Sequence, residues 1–262
     1  MRPGLPRSAL QKASIAAMMT WAAGFIDLIG YLTLYAIYTA HMSGDTVAMG
    51  RHLADFQWYG FARRGWTIAT FVLGLLVGAF AFDAEQRGVL RAPFPVTLAL
   101  ESSLLFVFLV VAIGNDFRAQ VPPQPAFKFY FMLALLSTAM GVQNVTVRRV
   151  GGLNVYTTFV TGSLVKFGEA LSAYLFWVRD RTRHRFRQRI GRVLRLPSRN
   201  LQMKRVMLSG TLWISYLGGA VAGTLAVSQW KLLAMLAPLI VILGLTIYGS
   251  WSPFLHVPEE EW

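Results

Sequence analysis

The stretch Thr39-Ala-His-Met-Ser-Gly-Asp-Thr-Val-Ala-Met-Gly50 is polar, yet it lies between apolar segments long enough to cross a membrane. A second stretch, Thr157-Thr-Phe-Val-Thr-Gly-Ser-Leu-Val-Lys-Phe-Gly168, repeats its pattern. In both, a small hydroxyl residue, a glycine and a polar residue follow one another, which is typical of the start of a helix. Two such starts at membrane depth predict broken helices around a polar site, as in many transporters.

The composition is that of a helical membrane protein. Of the 262 residues, 55% are hydrophobic and only 14% are charged, whereas about a quarter of the residues of a soluble domain are charged. Apolar segments of roughly the length that spans a bilayer cover residues 13–38, 66–82, 94–114, 127–147, 207–227 and 232–249. We therefore predict an all-α, polytopic membrane protein.

The net charge of +13 is concentrated in one loop. Eleven of the 25 lysine and arginine residues lie within residues 179–205. Under the positive-inside rule, both this loop and the basic N-terminus face the cytoplasm. No nucleic-acid-binding motif accompanies the charge, so we expect the lipid bilayer, and not nucleic acid, as the partner of this loop. The absence of cysteine excludes disulfides and thiolate metal sites.

The two halves of the chain align as an internal repeat. The motif Gly24-Phe-Ile-Asp27 aligns with Gly141-Val-Gln-Asn144, the two polar stretches align next, and the pair Gly74/Gly78 aligns with Gly219/Gly223. Glycine pairs at this spacing pack membrane helices closely, either within one chain or between copies in a homo-oligomer. We predict a single membrane domain, 1–262, with repeats at 13–114 and 127–249 and the basic loop, 179–205, inside the second repeat.

The topology depends on whether the two polar stretches cross the membrane. If they do not, each half has three spans, and the second half is inverted relative to the first. If both cross, the chain has eight spans and the halves are parallel. The polarity of residues 44–55 favours six full transmembrane helices plus two broken or half-spanning helices.

These motifs resemble those of the YoaK-like family of uncharacterised bacterial inner-membrane proteins. The likeness covers nearly the whole chain, and its most specific residues are Gly24-Phe-Ile-Asp27 with Gly30, Ala40-His-Met-Ser-Gly44, Gly141-Val-Gln-Asn144 with Arg148-Arg149, and Thr157-Thr-Phe-Val-Thr-Gly162. The resemblance implies a multi-pass protein of the inner membrane and little about activity. One departure is Asp45, where the family usually has an asparagine, so that an ionisable group replaces a neutral amide.

Candidate site residues gather at the helix starts and at mid-span polar positions. Asp27 lies mid-span, where a carboxyl group either couples an ion or proton or serves as a structural partner. His41 could move protons near neutral pH or only bind a loop carbonyl. Free N–H groups at the helix starts could receive an anion. We predict a substrate or ion site comprising Asp27, His41, Ser43, Gly44, Asp45, Asn144, Thr161, Gly162 and Ser163.

Three further charged residues are additional candidates. Glu101 is the only charge in its segment, and lone carboxyl groups in a membrane are functional by default. Arg148 and Arg149 either bind an anionic substrate or lipid headgroups, or anchor a helix at the membrane surface. Arg51 and Asp55, four residues apart, are expected to pair on one helix face.

No catalytic motif, cofactor or metal site is predicted. The histidines and carboxylates near residue 45 match no compact ligand spacing. The leading hypothesis is a secondary transporter or permease of a small polar or anionic metabolite, proton-coupled through Asp27 and His41. The alternatives are an intramembrane enzyme acting on a lipid-type substrate, with Arg148 and Arg149 holding a phosphate, and a non-catalytic membrane partner whose basic loop recruits a protein or anionic lipid.

Overall fold

The computed structural model describes residues 7–34, 36–113, 127–151, 160–182 and 201–251, which are helical apart from short connections. The α-helices are α1 (Arg7–Thr33), α2 (Met42–Ala54), α3 (Trp58–Gln86), α4 (Pro93–Ile113), α5 (Phe127–Gly151), α6 (Val160–Thr182), α7 (Leu201–Trp230) and α8 (Leu236–Trp251). A 3₁₀ helix, Lys231–Met235, joins the last two. The all-α prediction is thus confirmed for the described residues.

Five segments are long and apolar enough to cross a membrane. They are Leu10–Thr33, Trp58–Gln86, Pro93–Ile113, Phe127–Arg149 and Met203–Trp251, and the last contains both α7 and α8. Neither α2 nor α6 is among the candidates found in the described part of the chain. With 13 residues, α2 is about 20 Å long, which is shorter than a hydrocarbon core of roughly 30 Å.

The first apolar segment ends earlier than its hydropathy predicts. We expected a span over residues 13–38, but α1 ends at Thr33, and Ala36 has a positive φ of 57°. The chain then turns back along α1, so that residues 37–41 lie beside its last turns. The helix ends early because the carboxylate of Asp27 accepts hydrogen bonds from the backbone N–H groups of Thr39 and Ala40, which holds these residues beside α1. We call residues 36–41 the return segment.

The helix that follows begins one to two residues before the predicted start. Met42 is its first residue and His41 its N-cap, which makes no side-chain capping hydrogen bond. The expected start at Ser43-Gly44 is therefore wrong by one to two residues. The corresponding helix of the second half, α6, begins at Val160, also one residue before the aligned Thr161.

The first helix of each half packs against the second long apolar helix of the other half. Along α3 and α5, the contacts advance together, from Trp66 with Tyr130 to Gly78 with Val145, so these helices are parallel. Along α1 and α7, Trp21 meets Gly219 and Leu28 meets Gly223, again in parallel.

Glycine sets the distance between these crossing helices. A Cβ atom at Gly74 would overlap the carbonyl oxygen of Thr138, and one at Gly219 would overlap that of Trp21. The glycine pairs found in the sequence therefore pack helices within one chain. The glycine spacing also allowed contact between copies in a homo-oligomer. At Gly74 and Gly78 such a contact would need the surface of α3 that α5 covers.

Candidate functional site

The predicted site centres on Asp27, which is 2% exposed and lies six residues before the end of α1. Its Oδ1 accepts hydrogen bonds from the backbone N–H of Thr39 at 2.9 Å, the Thr39 hydroxyl at 3.1 Å and the Ala40 N–H at 3.2 Å. Its Oδ2 accepts one from the Tyr216 hydroxyl at 2.7 Å and lies 2.7 Å from Nδ1 of His41. These five contacts, made by four residues, engage both carboxylate oxygens and fix the position of the Asp27 side chain.

His41 connects this buried carboxylate to the outside of the bundle. Its side chain is 33% exposed, and its ring lies 4.8 Å from that of Tyr38 and 6.1 Å from that of Tyr216, centroid to centroid. The hydrogen bond with Asp27 raises the pKa of His41, although burial acts in the opposite direction. The imidazole can therefore hold a proton between solvent and Asp27, as a proton-transfer role requires.

Asp45, at the start of α2, has a different partner, Arg64. It is buried in the first turn of α2, where its Oδ1 forms an ion pair with the guanidinium of Arg64 on α3. Its Oδ2 accepts no hydrogen bond from any described residue. Burial raises the pKa of Asp45 to about 6, although Arg64 acts to lower it. Asp45 is thus ionised at neutral pH and takes up a proton in mild acid.

The first turn of α2 also contains the predicted Ser43 and Gly44. Both are exposed, and nothing would contact a Cβ atom at Gly44. Their N–H groups lie in the first turn, where a helix leaves donors without intrahelical partners. The N-terminus of α2 beside His41 is therefore accessible to a small anion. The carboxylate of Asp45, in the same turn, forms its ion pair with Arg64.

The second-half candidates have contacts of their own. Asn144, the counterpart of Asp27, is buried in α5 and donates to the carbonyl oxygen of Met140 at 2.9 Å. Thr161, Gly162 and Ser163 form the first turn of α6, which packs on α7. The five partners of Asp27 in the described chain include none of these four residues. The stretch that aligns with Thr39 and Ala40 lies outside the described residues.

The three additional candidates lie apart from Asp27. Arg149 is 3.4 Å from Oδ1 of Asp83, so it joins the ends of α5 and α3, and Arg148 precedes it in the last turn of α5. Glu101 is completely buried in α4, and neither of its carboxylate oxygens has a hydrogen-bond partner among the described residues. The expected pair of Arg51 and Asp55 is present at 3.6 Å on the exposed face of α2.

Sequence reasoning missed two members of the site, Tyr216 and Arg64. Each meets its carboxylate partner through packing of separate helices, and no local spacing predicts either contact. A signal for Tyr216 does exist in the alignment, because it lies three residues before Gly219, the glycine that brings α7 against α1. Arg64 is detectable only as a charge within an apolar helix, which requires a partner.

The long apolar helices and the buried polar groups between them define a multi-pass membrane protein. The chain belongs to the family described as "Protein of unknown function (DUF1275)", whose model matches residues 15–248. It is 25% identical over 174 residues to the UPF0700 transmembrane protein YoaK of Bacillus subtilis (strain 168), covering 66% of this chain and 73% of that protein. It is 26% identical over 174 residues to the UPF0700 transmembrane protein RA0705 of Rhizobium meliloti (strain 1021), covering 66% and 67%. No solved structure matches. The expected YoaK-like family is thus confirmed.

Proposed function

We propose that this protein is a secondary transporter or permease of a small polar or anionic metabolite in the bacterial inner membrane. The observation that carries the proposal is the start of α2 beside the buried Asp27 carboxylate and the partly exposed His41. In our proposal this helix begins within the membrane, where it presents free N–H donors of the kind that bind substrates in transporters with broken helices. The N-terminus and the basic loop are cytoplasmic in this proposal, in line with the charge distribution.

An inverted repeat underlies this arrangement in our proposal. Residues 13–114 and 127–249 form the two halves, with six full spans when α7 and α8 are counted separately. Two observations support it: α2 and α6 begin at aligned positions, and the packing of α1 on α7 has its counterpart in the packing of α5 on α3. In an inverted pair of halves, such exchanged contacts are related by a two-fold axis in the membrane plane.

The substrate site lies at the first turn of α2. Ser43 and Gly44 supply backbone donors for an anionic group, and a protonated His41 supplies a compensating positive charge. Asp27 orients His41 and holds the return segment through which a solute reaches that turn. Thr161, Gly162 and Ser163 supply the equivalent donors of the second half. Binding by backbone groups suits a small carboxylate or phosphate better than an apolar solute.

Proteoliposomes containing the purified protein test this function. Uptake of radiolabelled small carboxylates and phosphate esters is measured with and without a pH gradient, and Asp27→Asn is compared with Asp55→Asn, which changes an exposed carboxyl group of α2. We expect gradient-driven uptake of at least one anion by the wild type and by Asp55→Asn. Full gradient-driven uptake by Asp27→Asn would remove the coupling role of the Asp27 and His41 pair.

Two outcomes would replace the proposal altogether. Chemical turnover of a lipid by the purified protein would identify an intramembrane enzyme. Correct insertion without any solute movement, combined with loss of a cellular phenotype on deletion of residues 181–199, would identify a non-catalytic partner protein. Because the chain has no native cysteine, single cysteines at Met49 and Ser163 can report independently whether α2 and α6 line one water-filled cavity.

A further inference from the structure

Glu101 is a buried carboxyl group that the proposed substrate site does not use. It lies in α4, its exposed fraction is 0%, and neither Oε1 nor Oε2 has a hydrogen-bond partner among the described residues. Asp27, by contrast, has five contacts from four residues to its two oxygens. The two buried carboxyl groups therefore have opposite surroundings.

Among the described residues, no charged side chain forms an ion pair with Glu101, and neither of its carboxylate oxygens has a hydrogen-bond partner. The helices packed against α4 explain this, because their titratable groups lie near the helix ends or on exposed faces. These groups are Tyr59, Arg63, Arg64, Asp83 and Glu85 on α3, Lys128, Tyr130, Arg148 and Arg149 on α5, Lys231 in the 3₁₀ helix, and Tyr248 on α8.

The depth of Glu101 follows from the directions of the helices. A six-residue link joins α3 to α4, and α4 packs on both α3 and α5, which are parallel, so we infer that α4 runs antiparallel to both. Glu101 is eight residues from the start of α4 and twelve from its end. In an antiparallel pair, these positions correspond to a point eight residues before the end of α5 and twelve residues after its start, which are residues 143 and 139. This is the middle of the bundle, where an ionised carboxyl group without a partner is most costly.

Polar groups that could accept a hydrogen bond lie on α4 and α5. The Oγ atoms of Ser102 and Ser137 and the Oε1 of Gln143 are buried and have no partner in the described part of the chain. Gln143 directs its other side-chain atom, Nε2, to the carbonyl oxygen of Met19 at 3.2 Å, which leaves Oε1 as an acceptor. A carboxylic acid can donate one O–H to such an oxygen, whereas a carboxylate can only accept.

We propose that Glu101 is a proton-binding site in the centre of the bundle and that it holds its proton in this conformation. The proton leaves when water reaches α4 in another conformation. A coupling role for this proton rests on the proposed transport function. In that role Glu101 carries a proton in addition to the one on His41, and Asp27 positions His41 and the return segment.

Infrared difference spectra test the proton directly. The wild type is compared with Glu101→Gln at neutral pH, in lipid, and the C=O band of a carboxylic acid is expected to be lost in the variant. Asp27→Asn is the matched comparison, and its difference spectrum should contain carboxylate bands. A wild-type spectrum in which Glu101 contributes carboxylate bands would overturn the proposal. So would loss of the acid band in sodium chloride but not in choline chloride, because the site would then bind sodium.

Separate control experiments test whether Glu101→Gln folds and whether the protein transports. Glu101→Gln replaces a neutral group by another, so its melting temperature should stay within a few degrees of wild type. If it does not fold, carbon-13 labelling of glutamate in the wild type gives the same answer, because acid and carboxylate carbons resonate apart. Loss of gradient-driven uptake with retained anion exchange in Glu101→Gln supports coupling. Absence of uptake by the wild type would refute the transporter and leave the infrared result standing.

Discussion

The hydroxyl of Tyr216 donates a 2.7 Å hydrogen bond to Oδ2 of Asp27, which is 189 positions away in the chain. The bond joins α7 to α1 at the point where the return segment is fixed. A carboxylate of the first half is therefore completed by a residue of the second half. Any movement of α7 away from α1 removes a partner from Asp27, and the return segment then depends on Thr39, Ala40 and His41 alone.

Tyr216→Phe should destabilise the protein without changing its shape. The substitution removes one hydrogen bond to a charged acceptor, and we expect the free energy of unfolding to fall by about 2 kcal/mol. Thermal unfolding in detergent measures the loss. Tyr248→Phe, which removes an exposed hydroxyl from α8, is the control and should leave the melting temperature unchanged. Equal effects of the two substitutions would contradict the role of the Tyr216 bond.

Asp27→Asn should release the return segment. The amide replaces one acceptor oxygen by a donor group, so fewer of the five contacts survive. A single cysteine at Ala40, which is buried, should then react faster with a water-soluble maleimide, about tenfold for each ~1.4 kcal/mol lost from the free energy of opening. A cysteine at the exposed Leu53 of α2 is the control and should react equally in both backgrounds. An unchanged rate at position 40 would show that Asp27 does not hold the segment.

The ion pair of Asp45 and Arg64 should be far more important than that of Arg51 and Asp55. Arg64→Met leaves a buried carboxylate without a partner and should cost about 3–5 kcal/mol. Arg51→Met breaks an exposed pair and should cost less than ~0.5 kcal/mol. Unfolding titrations with a denaturing detergent compare the two. In Asp45→Asn/Arg64→Met, the loss should be smaller than the sum of the single losses, and additive losses would contradict a direct interaction.

Stability should depend on pH through Asp45. The pKa of Asp45 in the folded protein, about 6, is above the ordinary value of 3.8, so the folded state binds the proton more tightly than the unfolded state. The free energy of unfolding of the wild type, relative to Asp45→Asn, should therefore rise as pH falls through about 6 and level off below about 4. Unfolding at a series of pH values measures this difference. A difference that falls over that range would contradict the assignment.

Alanine at the crossing glycines should force helices apart. Gly141→Ala would place a methyl group on the carbonyl oxygen of Phe71, and we expect a loss of about 1–3 kcal/mol. Gly244→Ala is the matched control, because nothing lies within 4 Å of a Cβ atom there. At that position alanine should be neutral or stabilise the helix by about 0.5–1 kcal/mol. Thermal unfolding of both variants distinguishes packing from helix propensity, and equal melting temperatures would contradict the packing role.

Hydropathy and local motifs predict the long helices and the existence of the short one. The predicted apolar segments agree with α3, α4, α5 and α7 to within eight residues at each end. They are predictable because the hydropathy that favours burial in lipid is a property of each segment alone. The polar stretch after residue 39 correctly indicated a helix start. The i, i+4 pair of Arg51 and Asp55 was also predictable, since helical geometry brings such residues together.

The partners of the buried carboxyl groups were not predictable from the sequence. Tyr216 reaches Asp27, and Arg64 reaches Asp45, only after separate helices have packed. The end of α1 was missed for the same reason, because residues 34–38 are apolar enough to continue a span. What stops the helix there is a hydrogen-bonding group twelve residues before Thr39, and hydropathy contains no information about it.

The exchanged packing of the two halves has a consequence for synthesis at the membrane. The face of α1 that contains Gly24 meets its partner only when α7 has been made, nearly two hundred residues later. Until then, that face and the Asp27 carboxylate enter the bilayer without Tyr216. The first half of the chain is thus an unfinished intermediate during translation, and the two halves made as separate polypeptides should have to find each other before either becomes resistant to protease.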